Sequence, residues 1–156
     1  MLIDELVNRS AVELAALIRT RKVSPVEVMR GTLAQIERLN PLLNAFVTVQ
    51  AEEALCSAAK AEEALRSGQP TGPLYGVPLH VKDNLFVAGS RTTFGSKLLE
   101  TNVTSEDCPA VDRRRETGTA AMDAVHLSVQ PDWPTRRQRS RRLDSIGIAG
   151  GTANHR

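Results

Sequence analysis

Residues 76–84 read Gly-Val-Pro-Leu-His-Val-Lys-Asp-Asn, and this short run constrains the fold more than any other stretch. Val77, Leu79 and Val81 alternate with Pro78, His80 and Lys82, the side-chain period of a β-strand with one buried face. Upstream, Ala51, Ala54, Leu55, Ala58, Ala61 and Leu65 recur at helical spacing. Ahead of them, residues 44–49 (Asn-Ala-Phe-Val-Thr-Val) form an apolar run of strand length. Strand, helix, strand in that order predicts a βαβ unit and a sheet with a parallel component. The small residues on the helical face predict close approach to that sheet.

Two helices are signalled before this unit. Ser10-Ala-Val-Glu13 is a capping box, serine and glutamate each placed to satisfy a free N–H of the first turn. Leu14, Leu17 and Ile18 then share one face. Ser24-Pro-Val-Glu27 repeats the device with proline at the first helical position, followed by the stripe Val26, Met29, Leu33 and Ile36. Asn40-Pro41 predicts the end of that helix, because proline cannot donate and restricts the residue before it. Gly68 predicts the end of the helix begun near Ala51, and residues 67–75 a loop. Residues 83–104 read as irregular. Ser105, with Glu106 and Asp107 in the first turn, predicts a helix ending near Gly118. Beyond Gly118 the periodicity fails, and residues 120–129 fit a helix or a strand equally.

A length of 156 residues suits one domain, and 41% hydrophobic residues would support a core. With aromatics at 3%, that core must rest on Leu, Val, Ile and Ala. The net charge of +2 hides an asymmetry: Lys22, Lys60, Lys82 and Lys97 all precede residue 100, whereas the tail carries Arg113–Arg115 and Arg136, Arg137, Arg139, Arg141 and Arg142. Cys56 and Cys108 make neither a disulfide framework nor a zinc site, so two reduced thiols are expected. His80 has no Cys or acidic partner at ligand spacing, and no metal or cofactor is expected. Asp4 and Glu5 replace the basic start of a secretory signal, and no apolar stretch nears the ~20 residues of a membrane helix. A cytoplasmic protein is expected, its oligomeric state open.

Gly72-Pro-Leu-Tyr-Gly-Val-Pro-Leu-His-Val-Lys-Asp-Asn84 resembles the lysine motif of the amidase signature family, and Thr92-Thr-Phe-Gly-Ser96 resembles that family's Thr-Thr-x-Gly-Ser stretch. Glu13-Leu-Ala-Ala-Leu-Ile18, Val23-Ser-Pro-Val-Glu27 and Asn40-Pro-Leu-Leu-Asn-Ala-Phe46 support it in order and spacing across about residues 5–118. The resemblance implies an α/β fold: N-terminal helices, then the start of a mixed sheet with helices packed on it. Residues 1–118 would form a truncated amidase-signature domain, with an unpaired strand edge and exposed apolar faces. Residues 119–156 would be a divergent, irregular Arg-rich tail, disordered or read out of frame.

The resemblance also implies chemistry. The family hydrolyses or transfers carboxamides through a serine nucleophile, a second serine in a cis peptide and a lysine base, and Lys82 matches that lysine. A lysine accepts a proton only as the neutral amine, which burial favours; Val81, Leu85 and Phe86 are candidates to provide it. The lysine would draw a proton through the bridging serine, and backbone N–H groups would stabilise the oxyanion. Asp83 and Asn84 would orient the lysine strand or simply make a turn. Thr92, Thr93 and Ser96 would back the site or bond local backbone.

No segment of the 156 residues matches the family's two serines; Ser57 and Ser67 have no motif around them, and Gly150-Gly151-Thr152 fits chance better. An amidase-family fragment, inactive by itself, is therefore expected, small-molecule amides being the substrates of the full-length family. The alternatives are a non-catalytic binding fragment and a fragment of the amidotransferase component that makes glutaminyl-tRNA. A basic tail binding nucleic acid through phosphates is the weakest alternative, since no groove-reading module accompanies it.

Overall fold

The computed structural model describes residues 3–69, 71–116 and 125–127; side chains are described for residues 5–69 and 71–112. Its elements are α1 (Ile3–Val7), α2 (Ala11–Arg19), α3 (Pro25–Leu43), α4 (Ala51–Arg66), β1 (His80–Lys82), α5 (Pro109–Glu116) and β2 (Val125–Leu127), with a single 3-10 turn at Lys97–Leu99. The mixture is α/β with little strand.

Both capping boxes form. Ser10 N–H donates to Glu13 Oε2 at 2.9 Å while Glu13 N–H donates to Ser10 Oγ at 3.3 Å. At α3, Ser24 N–H donates to Glu27 Oε2 at 2.8 Å, and Pro25 occupies the first helical position. The hydrogen bonds from the Ser10 backbone and side chain, with Arg9 nearby, hold the Glu13 carboxyl below the ordinary glutamate range. A lowered folded-state value means that its support for α2 is full above the unfolded-chain value and is lost as pH falls through the folded one. Ser10→Ala should return Glu13 toward the ordinary range, read from its side-chain carboxyl ¹³C shift during an acid titration.

α3 runs through Pro41 to Leu43, contrary to the expected stop at Asn40-Pro41. Pro41 lies in the last turn, where a missing donor breaks one hydrogen bond and leaves the rest of the helix intact. The chain turns at Asn44, whose φ is 48° and whose N–H donates to Asn40 O at 2.7 Å. α4 ends as expected: Ser67 is the cap, Gly68 takes φ 72°, and Gln69 N–H donates to Ala64 O at 3.0 Å, a Schellman closure.

The first core cluster joins α1, α2 and the start of α3 through Leu6, Leu14, Ala15, Ile18, Val23 and Val28, with Val77 inserted among them. The second joins Met29 to Ala54 and Ala58. The small face of α4 therefore lies against α3 rather than against a sheet. A third cluster, Val81, Val87 and Val111, ties β1 to α5.

The expected strand at 44–49 is irregular chain, left-handed at Asn44 and bent at Val47, with a single bridge position at Thr48. Its backbone groups find side chains instead of a ladder. Asn40 accepts from Phe46 N–H at 2.8 Å and donates to Phe46 O at 2.9 Å, and Arg91 donates to Val47 O at 3.0 Å. The second expected strand is shorter than its alternation. Val77 is drawn into the helical core, Pro78 has no N–H for a ladder, and only residues 80–82 pair. They pair parallel with β2, His80 opposite Val125 and Lys82 opposite Leu127. The parallel component exists, but its partner lies within residues 120–129, which the sequence left between helix and strand. α5 starts at Pro109, four residues past the expected Ser105 cap, because Asp107 Oδ1 accepts from Ala88 N–H at 2.7 Å instead of supporting the first turn. The expected helix end at Gly118 and the expected character of the Arg-rich tail lie outside the described residues, apart from β2. No helix among the described residues is long and apolar enough to cross a membrane.

Candidate active site around Lys82

Lys82 is the last residue of β1 and is exposed, as is His80 on the same face; Val81 and Asp83 between and beyond them are buried. The described residues thus place the lysine on the surface, where the motif had suggested burial among Val81, Leu85 and Phe86. Leu85 and Phe86 are themselves exposed, as is Phe94, whose ring meets that of Phe86 edge-on with centroids 5.6 Å apart. His80 packs edge-on to Phe46 at 6.2 Å.

Asp83 does more than turn the chain. Its carboxylate is 2% exposed and accepts from Thr93 N–H at 2.7 Å, from Thr93 Oγ1 at 2.5 Å and, at the 3.4 Å limit, from Gly95 N–H. Its main-chain oxygen accepts from Phe94 N–H at 3.2 Å. The Thr-Thr-Phe-Gly-Ser stretch is thereby laid against the end of the lysine strand. Phe94 and Gly95 both take positive φ, 54° and 70°, in making that approach. An aromatic residue in the left-handed region is strained, and strain of this kind gathers at functional sites.

The other hydroxyls divide. Ser96 Oγ accepts from Leu98 N–H at 3.3 Å and caps the 3-10 turn. Ser67 bonds back to the end of α4, and Ser90 donates to Gln50 Oε1 at 3.0 Å. Thr92 is fully buried, its backbone paired with Asn102 on both sides, and its Oγ1 has no partner among the described residues. Asn84 is exposed. A cleft of about 280 Å³ opens elsewhere, lined by Arg21, Lys22, Ser24, Glu27, Glu62 and Arg66; it takes in part of the Val23–Glu27 piece but no residue of the lysine motif or of the Thr-Thr-x-Gly-Ser stretch.

Arg91 is the neighbour of the motif segments that sequence reading missed. It donates to Thr48 Oγ1 at 3.1 Å, Val47 O at 3.0 Å and Glu100 O at 3.1 Å, binding the 44–49 segment to the loop behind the lysine strand. An arginine inside an irregular stretch reads as a solvated charge, so no local signal marked it. Arg91→Lys keeps the charge but not the planar fork of donors, and should cost about 1–3 kcal/mol, measured as a lower urea midpoint at unchanged slope.

The motif segments are therefore joined in space: the lysine strand, the Thr-Thr-x-Gly-Ser loop and the 44–49 segment meet through Asp83 and Arg91. The amidase family model matches residues 27–124, which contain all three. The chain belongs to the amidase family. The glutamyl-tRNA(Gln) amidotransferase A-type subunit of Carboxydothermus hydrogenoformans is 40% identical over 96% of this chain and 33% of its own length. Its counterpart in Lachnospira eligens is 38% identical over 78% of the chain and 25% of its own length. Among solved structures, a bacterial aryl acylamidase of the amidase signature family superposes with a TM-score of 0.68 at 28% identity, covering 80% of this chain and 25% of that one. The chain thus spans about a quarter to a third of the length of the amidase-family proteins it matches.

Proposed function

We propose that Lys82 is the general base of carboxamide cleavage by a Ser–cisSer–Lys relay, acting on a small-molecule amide in the cytoplasm. The observation that carries this reading is the position of Lys82 at the end of β1, beside the buried Asp83–Thr93 clasp and inside the family match. The relay needs two serines, and the described serines that bond do so to local or loop partners. The relay also needs a neutral amine, hence shielding of Lys82 by residues other than those described. On this reading the 156 residues by themselves do not turn over amides. Purified chain assayed on aliphatic and aryl amides beside a Lys82→Ala control tests that; turnover that disappears with Lys82 contradicts it.

A second reading is favoured by the relatives. Curated proteins 38–40% identical to this chain are named as one subunit of a glutamyl-tRNA(Gln) amidotransferase. On that reading ammonia freed from an amide is passed on rather than lost, and partner subunits are required. Ammonia release from glutamine that rises when such subunits are added supports it; indifference to them favours a free-standing amidase.

A further inference from the structure

A buried carboxylate is costly unless its oxygens are matched by donors. Asp83 meets that condition with donors ten and twelve residues away, on the Thr93–Gly95 stretch. A turn at the surface could use any small polar residue. A carboxylate at 2% exposure, one residue from a surface lysine, serves to fix the join between two segments.

That join is next to Lys82. The two residues are joined by one peptide bond, Lys82 exposed at the end of β1 and Asp83 buried just past it. Asp83 is held by its carboxylate and by its carbonyl, which accepts from Phe94 N–H. Lys82 itself is held by its pairing with Leu127 and by its carbonyl, which accepts from Leu85 N–H at 2.9 Å. Thr93 completes the clasp in both directions, its hydroxyl donating to Asp83 and accepting from Gly95 N–H at 3.1 Å. We propose that Asp83 and Thr93 are positioning residues that set the direction in which the Lys82 side chain leaves the sheet. The inference rests on the reading of Lys82 as the base, for which a misplacement of about 1 Å can cost on the order of 10²-fold in rate.

The test is NMR on the labelled chain, with three-bond couplings about the Lys82 Cα–Cβ bond and hydrogen exchange at Thr93 and Gly95. Thr93→Val removes the hydroxyl at constant shape, Thr93→Ser restores it, and Asp83→Asn removes the charge. Ser24→Ala, a distant cap variant, controls for general loss of stability. Wild type, Thr93→Ser and Ser24→Ala should show one Lys82 rotamer. Thr93→Val and Asp83→Asn should show averaged couplings and at least about tenfold faster exchange at Gly95, where loss of an anchoring bond raises local opening. If Asp83→Asn does not fold, Thr93→Val with its serine rescue decides alone. Unchanged Lys82 couplings in Thr93→Val, or averaged couplings already in wild type, would overturn the inference. Failure of the base assignment is read separately, in a chimera whose remaining domain comes from a longer relative: Lys82→Ala without effect on its turnover removes that assignment and leaves the coupling result standing.

Discussion

Lys82→Ala is expected to lower kcat/KM for amide turnover by about 10²–10⁴-fold, the usual contribution of a positioned acid or base. The setting is a chimera in which residues 1–118 replace the matching stretch of the C. hydrogenoformans amidotransferase chain, which supplies the part of the domain this chain does not span. A base acts in the transition state and scarcely in ground-state binding, so the loss should fall on kcat with KM little changed. Lys82→Arg sharpens the result. Arginine keeps the positive charge and the long stem but does not deprotonate in proteins, so it should be as inactive as alanine. An arginine variant that retains most of the activity would instead mean that the residue works as a cation, and the proposed relay would fail. The exposure of Lys82 gives the chimera a second use. Leu85, Phe86 and Phe94 stand exposed near the lysine strand; if the added domain covers them, their accessibility should fall along with that of Lys82.

What the sequence disclosed followed the range of the interaction concerned. Ser10 and Ser24 were legible as caps because each capping box closes within three residues. Gly68 was legible because a Schellman closure needs a left-handed residue just past the helix. The 44–49 segment misled because its hydrogen-bond partners, Asn40 and Arg91, are side chains that no alternation pattern reports. Val77 misled because its position fits a strand period while its side chain is committed to the helical core. At the site, the motif singles out Lys82, and Asp83 reads as orienting the lysine strand or making a turn, with no partner named for its carboxylate. The bonds from Asp83 to Thr93 and Gly95 cross ten and twelve residues of irregular chain, so their existence depended on how that loop folds back.

The loop can fold back because Gly76 delivers the chain from the helices to β1, and Gly76→Ala is expected to cost about 2–4 kcal/mol. Gly76 has φ 81°, and a Cβ built there would lie 3.0 Å from Pro25 Cγ and 3.3 Å from Ile18 Cγ2. The left-handed conformation alone costs an L-residue about 1–2 kcal/mol. Overpacking adds about 1–3 kcal/mol, offset by roughly 0.4–1 kcal/mol from the stiffer unfolded chain. Neither neighbour is a loose side-chain end: Pro25 is a ring fixed at the first position of α3, and Ile18 is 2% exposed in the first core cluster. Gly68 and Gly89 provide the comparison. Both have positive φ, 72° and 76°, but nothing lies within 4 Å of a Cβ at either. Gly68→Ala and Gly89→Ala should therefore show the backbone cost less the same unfolded-chain offset, a net loss of roughly 0–1.6 kcal/mol, as a modest fall in urea midpoint. The difference from Gly76→Ala isolates the packing of the lysine-motif turn against α2 and α3. Three equal losses would mean that Pro25 and Ile18 yield, and that the helical pair does not fix where the lysine strand begins.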